Sequence, residues 1–178
     1  MRQIVRQIAA LVALGAIAGL ILAGPAGGDG PRVVNGGGAG TFAADLDGDG
    51  DVDGSRFGLG ATIRASGAVQ GHFECLMAGD SDILGLALMA VEGKVMAGSA
   101  DAAGTATLGG VATVNLANGT VFRGVPFTVQ LKAGGPGSGS LKLTVIGAFD
   151  GVPGDTVPGN GNYDLPWELV MNGRIDIR

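Results

Sequence analysis

Apolar side chains recur at every second position through much of this chain, and that period leaves little room for anything but strands. Val69, Gly71, Phe73, Cys75 and Met77 fall on one side of a segment whose other side carries Gln70, His72 and Glu74. Phe127, Val129 and Leu131 alternate with Thr128, Gln130 and Lys132, and Leu141, Leu143 and Val145 alternate with Lys142 and Thr144. A repeat of two places one set on a buried face and the other in water, as in a half-buried antiparallel strand. Between the last two runs lies Gly134-Gly135-Pro136-Gly137-Ser138-Gly139, so residues 127–146 read as a hairpin.

The same reading extends along the chain. Residues 41–44 suggest a short strand. Residues 56–65 place Phe57, Leu59, Ala61 and Ile63 on one face. Residues 84–96 are rich in Leu, Ala and Met, but Gly85 and Gly93 disfavour a helix there, and a strand is expected over 90–98. Residues 106–116 form the next strand, followed by Asn118-Gly119, a hairpin turn signal. Residues 120–132 follow, with Pro126 marking an edge or a bulge. Residues 150–165 read as a long connection and residues 168–177 as the last strand. With 36 glycines set among β-branched residues and no collagen period, the expected fold is all-β: an antiparallel meander of about seven or eight strands forming a sandwich or small barrel.

Residues 1–26 differ in kind. Arg2 and Arg6 precede an uncharged, almost wholly apolar run over 8–23, and small residues Gly24 and Ala26 follow. A basic start, an apolar stretch and a small-x-small ending specify a signal helix, with cleavage expected after Ala26. The run falls short of the roughly 20 residues that span a bilayer, which disfavours a retained anchor. No transmembrane segment is expected after cleavage, and one Trp and one Tyr cannot build the aromatic girdles of an outer-membrane barrel. Residues 27–38 read as a flexible Gly/Pro-rich tether and residues 39–178 as one all-β domain. The destination is secreted: extracellular or periplasmic.

Charge narrows the partners. The whole chain carries a formal net charge of -5. Loss of Arg2 and Arg6 leaves nine basic against sixteen acidic residues, a charge of about -7. Such a domain repels nucleic acid and anionic lipid, so an extracellular or cell-surface partner of unknown identity is expected and nucleic acid is not. The lone Cys75 excludes an intramolecular disulfide.

Five aspartates crowd the run Asp45-Leu46-Asp47-Gly48-Asp49-Gly50-Asp51-Val52-Asp53. Calcium takes six to eight oxygens, and a calcium loop opens D-x-D-x-D-G with glycine at the sharp turn. Asp45, Asp47, Asp49 and Gly50 match, Asp51 offers a carbonyl and Asp53 a further side chain. The twelfth position should be acidic and is Arg56, and the flanks read as strands, so this is not an EF-hand. Two readings stay open: a looser calcium-binding β-loop through Asp45, Asp47, Asp49, Asp51 and Asp53, or a solvated acidic turn.

Catalytic constellations are thin. His72 is the only imidazole and faces away from Cys75, which leaves too few ligands for zinc. There is no nucleophile elbow and no phosphate loop. The acids outside loops are Glu74, Glu92 and Glu168, and Tyr163 and Trp167 lie close in sequence near Asp164, where a small sugar patch is conceivable. No catalytic residue and no cofactor other than calcium is assigned. The expectation is an exported non-enzymatic β-domain with a structural or binding role. The alternative is a small secreted carboxylate-dependent hydrolase or glycan-binding module.

Several segments together, GAGTFAADLDGDGDVDGSRFGLGA, GHFECLMAG, VEGKV, GTATLGGVATVNLANGTVFRGVPFTV and GAFDGVPGDTVPGNGNYDLP, resemble exported bacterial glycine-rich all-β proteins of unknown function with a post-COAP-1-like domain. The resemblance spans residues 36–178 and is carried best by His72 to Gly79 and Gly159 to Pro166. It implies export and a β fold, and it implies no activity and no site residue.

Overall fold

The structure is a computed structural model that describes residues 30–45, 50, 52–78 and 88–178. The expected signal segment 1–26, residues 27–29 and Asp47, Asp49 and Asp51 lie outside the described residues. The described residues are all-β, with no helix among them. Nine strands follow in chain order: β1 (Arg32–Thr41), β2 (Arg56–Ile63), β3 (Val69–Ala78), β4 (Leu88–Ala100), β5 (Thr105–Leu116), β6 (Val121–Lys132), β7 (Ser140–Ile146), β8 (Asn162–Asp164) and β9 (Glu168–Ile177).

All nine belong to one antiparallel sheet. β1 through β7 pair antiparallel in sequence order, each strand with the next. β8 adds to β7 through Thr144, Val145 and Ile146. β9 then returns to the start: it pairs β1 from Val34↔Ile177 to Thr41↔Leu169 and touches β7 at Ser140↔Leu169 and Leu141↔Glu168. The circuit of pairings is therefore continuous, and every strand except β8 has a neighbour on each side. Edge strands expose unpaired N–H and C=O groups, and a continuous circuit removes nearly all of them.

The turns follow local chemistry. After β4, Asp101 accepts the Thr105 N–H at 2.9 Å and the Thr105 hydroxyl at 2.6 Å, closing the hairpin. At Asn118-Gly119 the Asn118 side chain accepts the Thr120 N–H at 2.9 Å. Pro126 lies opposite Val111, next to a bulge where Gly124 is left out of the β5–β6 register. The β6–β7 pairing begins only at Phe127, so Pro126 lies outside that ladder. A second bulge leaves Met171 unpaired in β9 and allows Val170 and Ile175 both to face inward.

One face of the sheet is the core. Phe57, Leu59, Phe73, Met77, Met89, Val91, Leu108, Val114, Phe127, Val129, Leu131, Leu141, Leu143, Val145 and Val170 are all buried. The rings of Phe73 and Phe127 stack with centroids 5.6 Å apart. Gly93 makes room for this pair, because a Cβ there would lie 2.5 Å from Phe127 Cε1. The alternation read in β3 holds residue by residue: Phe73, Cys75 and Met77 are buried, and Gln70, His72 and Glu74 are exposed.

β1 is a correction. The run up to residue 38 reads as a tether, yet from Arg32 it is strand, hydrogen-bonded to β2 on one side and β9 on the other. Its glycines carry no hydrophobic alternation; Val34 anchors it in the core, and backbone pairing places the rest. The connection over 150–165 likewise contains β8, a three-residue strand that the turn signals conceal.

Candidate functional site

Three places gather the side chains that chemistry could use. The first is the acid-rich loop joining β1 to β2. Of the five expected ligands, Asp45 and Asp53 are described. Gly50 N–H donates to Asp45 Oδ2 at 2.9 Å, which closes the turn from the first to the sixth position of the loop. Asp53 is buried, and its carbonyl accepts the Phe42 N–H at 2.9 Å. Asp47, Asp49 and Asp51 lie outside the described residues.

The second is a polar pocket in the interior where that loop re-enters the sheet. Ser55, just before β2, and Glu168, the first residue of β9, are both buried. The Ser55 hydroxyl donates to Glu168 Oε2 at 2.6 Å. Gly40 in β1 provides the space, since a Cβ there would stand 2.4 Å from that same oxygen. Burial pushes the Glu168 carboxyl up to about 7, against the hydrogen bonds from Ser55, which hold it down. Burial pushes the Cys75 thiol up, and the neighbouring Glu168 charge adds to the effect. A thiol so held stays protonated and is a poor nucleophile.

Tyr163 is buried close by, and its hydroxyl donates to the Pro153 carbonyl at 2.9 Å. Burial raises its phenol, as do Asp155 and Asp53. Its ring lies edge-on to Phe149, which in turn meets Phe122 edge-on at 5.2 Å.

The segment after β7 is organised by the carboxylates of Asp150, Asp155 and Asp164. Asp150 accepts the N–H groups of Gly159 at 2.6 Å and Gly161 at 3.1 Å. Asp155 accepts those of Gly151 at 2.8 Å, Val157 at 3.0 Å and Asp164 at 3.2 Å. Partial burial works against the Asp155 charge, but these N–H groups prevail and its carboxyl is lowered. Asp164 accepts from the Thr144 hydroxyl at 2.8 Å and the Asn160 amide at 2.7 Å, with Lys142 Nζ at 3.9 Å. The available signal was the spacing of Asp150, Asp155 and Asp164 among glycines and Asn160, the composition of a loop held by side-chain to backbone bonds.

The third place is the outer face. Trp167 is 48 % exposed and lines a groove of about 380 Å³ with Thr105, Thr107, Gln130, Lys132 and Ser140. The structure thus separates the two aromatics that the sequence brings together: Tyr163 packs inside, and Trp167 stands outside. A smaller groove of about 280 Å³ on β2–β4 holds Arg56, Glu74 and Glu92, the last two directly opposite in register. Glu168 is inside the sheet and the exposed Glu74 and Glu92 are outside it, so the three acids do not converge. His72 lies opposite Gly60 and Lys94 on the exposed face. Among the described residues no helix is long and apolar enough to cross a membrane.

Comparison of the chain with protein-family models, with curated proteins and with solved structures returns no match.

Proposed function

We propose that the chain is an exported, non-enzymatic β-module that binds or scaffolds at the cell surface or outside the cell, stabilised by calcium through the loop from Asp45 to Asp53. The continuous circuit of pairings around a filled apolar interior carries this reading. Such an interior leaves no lumen for a substrate, so recognition belongs to the outer face and the loops. The reading takes the circuit as a small barrel rather than a sandwich, because β9 pairs both β1 and β7. The leader over 1–26 supplies the export, and the resemblance to exported glycine-rich β proteins is part of the same proposal.

The calcium part rests on the D-x-D-x-D-G run and on the Asp45–Gly50 contact that closes its turn. Extracellular modules bind calcium at about 0.1–1 mM, and like charges crowded in one loop repel without a cation. The test is a thermal melt of the mature chain with chelator and with millimolar calcium. Calcium should raise the midpoint, and Asp47→Ala with Asp49→Ala should abolish the shift. An unshifted midpoint removes calcium from the proposal.

The hydrolase alternative has one structural foothold, Glu74 opposite Glu92 beside Arg56. Turnover of a chromogenic glycoside or ester that disappears in Glu74→Gln would overturn the non-enzymatic reading.

A further inference from the structure

We propose that the groove at Trp167 is a saccharide-binding site that favours a sugar bearing a carboxylate; the proposal rests on the reading of the chain as a binding module and names its ligand class. Trp167 is the only tryptophan of the chain, and it stands in water rather than in the core. It is not loosely placed. Leu165 before it and Glu168 after it are both buried, and Pro166 fixes the intervening backbone. A large aromatic held outward between two buried anchors has its backbone fixed on both sides, which lowers the cost of ordering it against a ligand.

The rest of the groove is polar and comes from strands. Thr105 lies opposite Lys132 and Lys132 opposite Ser140, so β5, β6 and β7 contribute one row of hydroxyl, ammonium and hydroxyl groups, the Thr105 hydroxyl donating to Asp101 and left to accept from the sugar. Thr107 opposite Gln130 adds a second row. A pyranose presents C–H groups on its face and hydroxyls around its rim. The indole takes the face by apolar and quadrupolar contact, and the two rows take the rim by hydrogen bonds. About 380 Å³ lies within the range of small-molecule sites. A protein partner would instead call for about 800 Å² with an apolar centre, which one indole among hydroxyls does not offer.

Charge sets the preference. Lys132 is the single charged residue lining the groove, and among the described residues it makes no ion pair. The neighbouring Lys142 lies against Asp164. An ammonium without an ion pair among the described residues, on a chain of net charge -5, is a local site for an anion. A carboxylate on the sugar rim meets it.

The emission of Trp167 reports this site alone, because no other indole exists in the chain. The mature chain is titrated with a tetrasaccharide alternating glucuronate and N-acetylglucosamine, and with a tetrasaccharide of N-acetylglucosamine only. The expected result is a saturable change in emission with the acidic sugar at about fivefold higher affinity, the size of one partly exposed ion pair. Lys132→Gln should erase the difference. Calorimetry should show binding lost in Trp167→Ala and kept in Trp167→Phe, with melting temperatures unchanged in both. No saturable change with either sugar overturns the site, and equal affinity for the two overturns the carboxylate preference. Emission that changes with protein concentration instead assigns the groove to a second copy of the chain and also overturns it. None of these failures alters the calcium-dependent melt, so the module reading stands or falls separately.

Discussion

The Ser55 hydroxyl meets Glu168 Oε2 at 2.6 Å inside the sheet, joining the residue before β2 to the first residue of β9. Those two positions are far apart in sequence, and the contact exists only because β9 returns to pair with β1 and β7. A carboxyl in that position gives the fold a dependence on pH.

Glu168 holds its proton more tightly folded than unfolded, since burial raises it from an ordinary 4.5 to about 7. Its contribution to stability is complete below the ordinary value and is lost as pH rises through about 7. The unfolding free energy from urea melts should fall between pH 4.5 and 7.5 by on the order of 3 kcal/mol, from about 1.4 kcal/mol for each pKa unit. Glu168→Gln should remove that slope. Asp101, held low by the Thr105 hydroxyl, and Asp155, held low by backbone N–H groups that outweigh its burial, act in the opposite sense. Their contribution is present above the ordinary aspartate value and is lost as pH falls below it, outside this window.

Ser55→Ala should destabilise the protein by about 1–3 kcal/mol, because it leaves a buried carboxyl short of a partner. It should also push the Glu168 titration higher, since the lost hydrogen bond held it down. Carboxyl chemical shifts followed through pH, together with denaturant melts, check both parts.

Cys75 should resist a thiol reagent in the native protein at pH 8 and react promptly in denaturant. Burial both covers it and keeps it protonated. Fast native labelling would place the thiol outside the core.

Gly93→Ala should cost about 1–3 kcal/mol by overpacking. The added methyl points into the Phe127 ring, which is stacked on Phe73 and has little freedom to move. Denaturant unfolding of the variant measures the loss directly.

Much of this architecture is legible in the residues, for reasons that differ from strand to strand. β3 and β7 alternate clearly because one face meets the core and the other meets water, and the expected strand over 168–177 matches the bounds of β9, although the bulge at Met171 interrupts its alternation. β1 is not legible: apart from the buried Val34, its run of glycines and alanine presents no alternating face, and its position comes largely from the backbones of β2 and β9. Glu168 reads only as one of three acids outside the loops, and the closing of three strands around it explains its burial. Tyr163 and Trp167 are four residues apart and look like one patch, but the pairing of β8 with β7 buries the first and leaves the second outside. The aspartate-rich loop stands out in the sequence, whereas the supporting roles of Asp150, Asp155 and Asp164 depend on contacts that no short motif announces.

The fold depends most on β9 completing the circuit between β7 and β1, and amide hydrogen exchange tests this at residue level. If the circuit is continuous, the paired amides of β1 and β9, including Val170, which donates to the Gly139 carbonyl, should exchange as slowly as those of β4 and β5. Rapid exchange along β9, with protection confined to β2 through β6, would mean an open sheet and would contradict it.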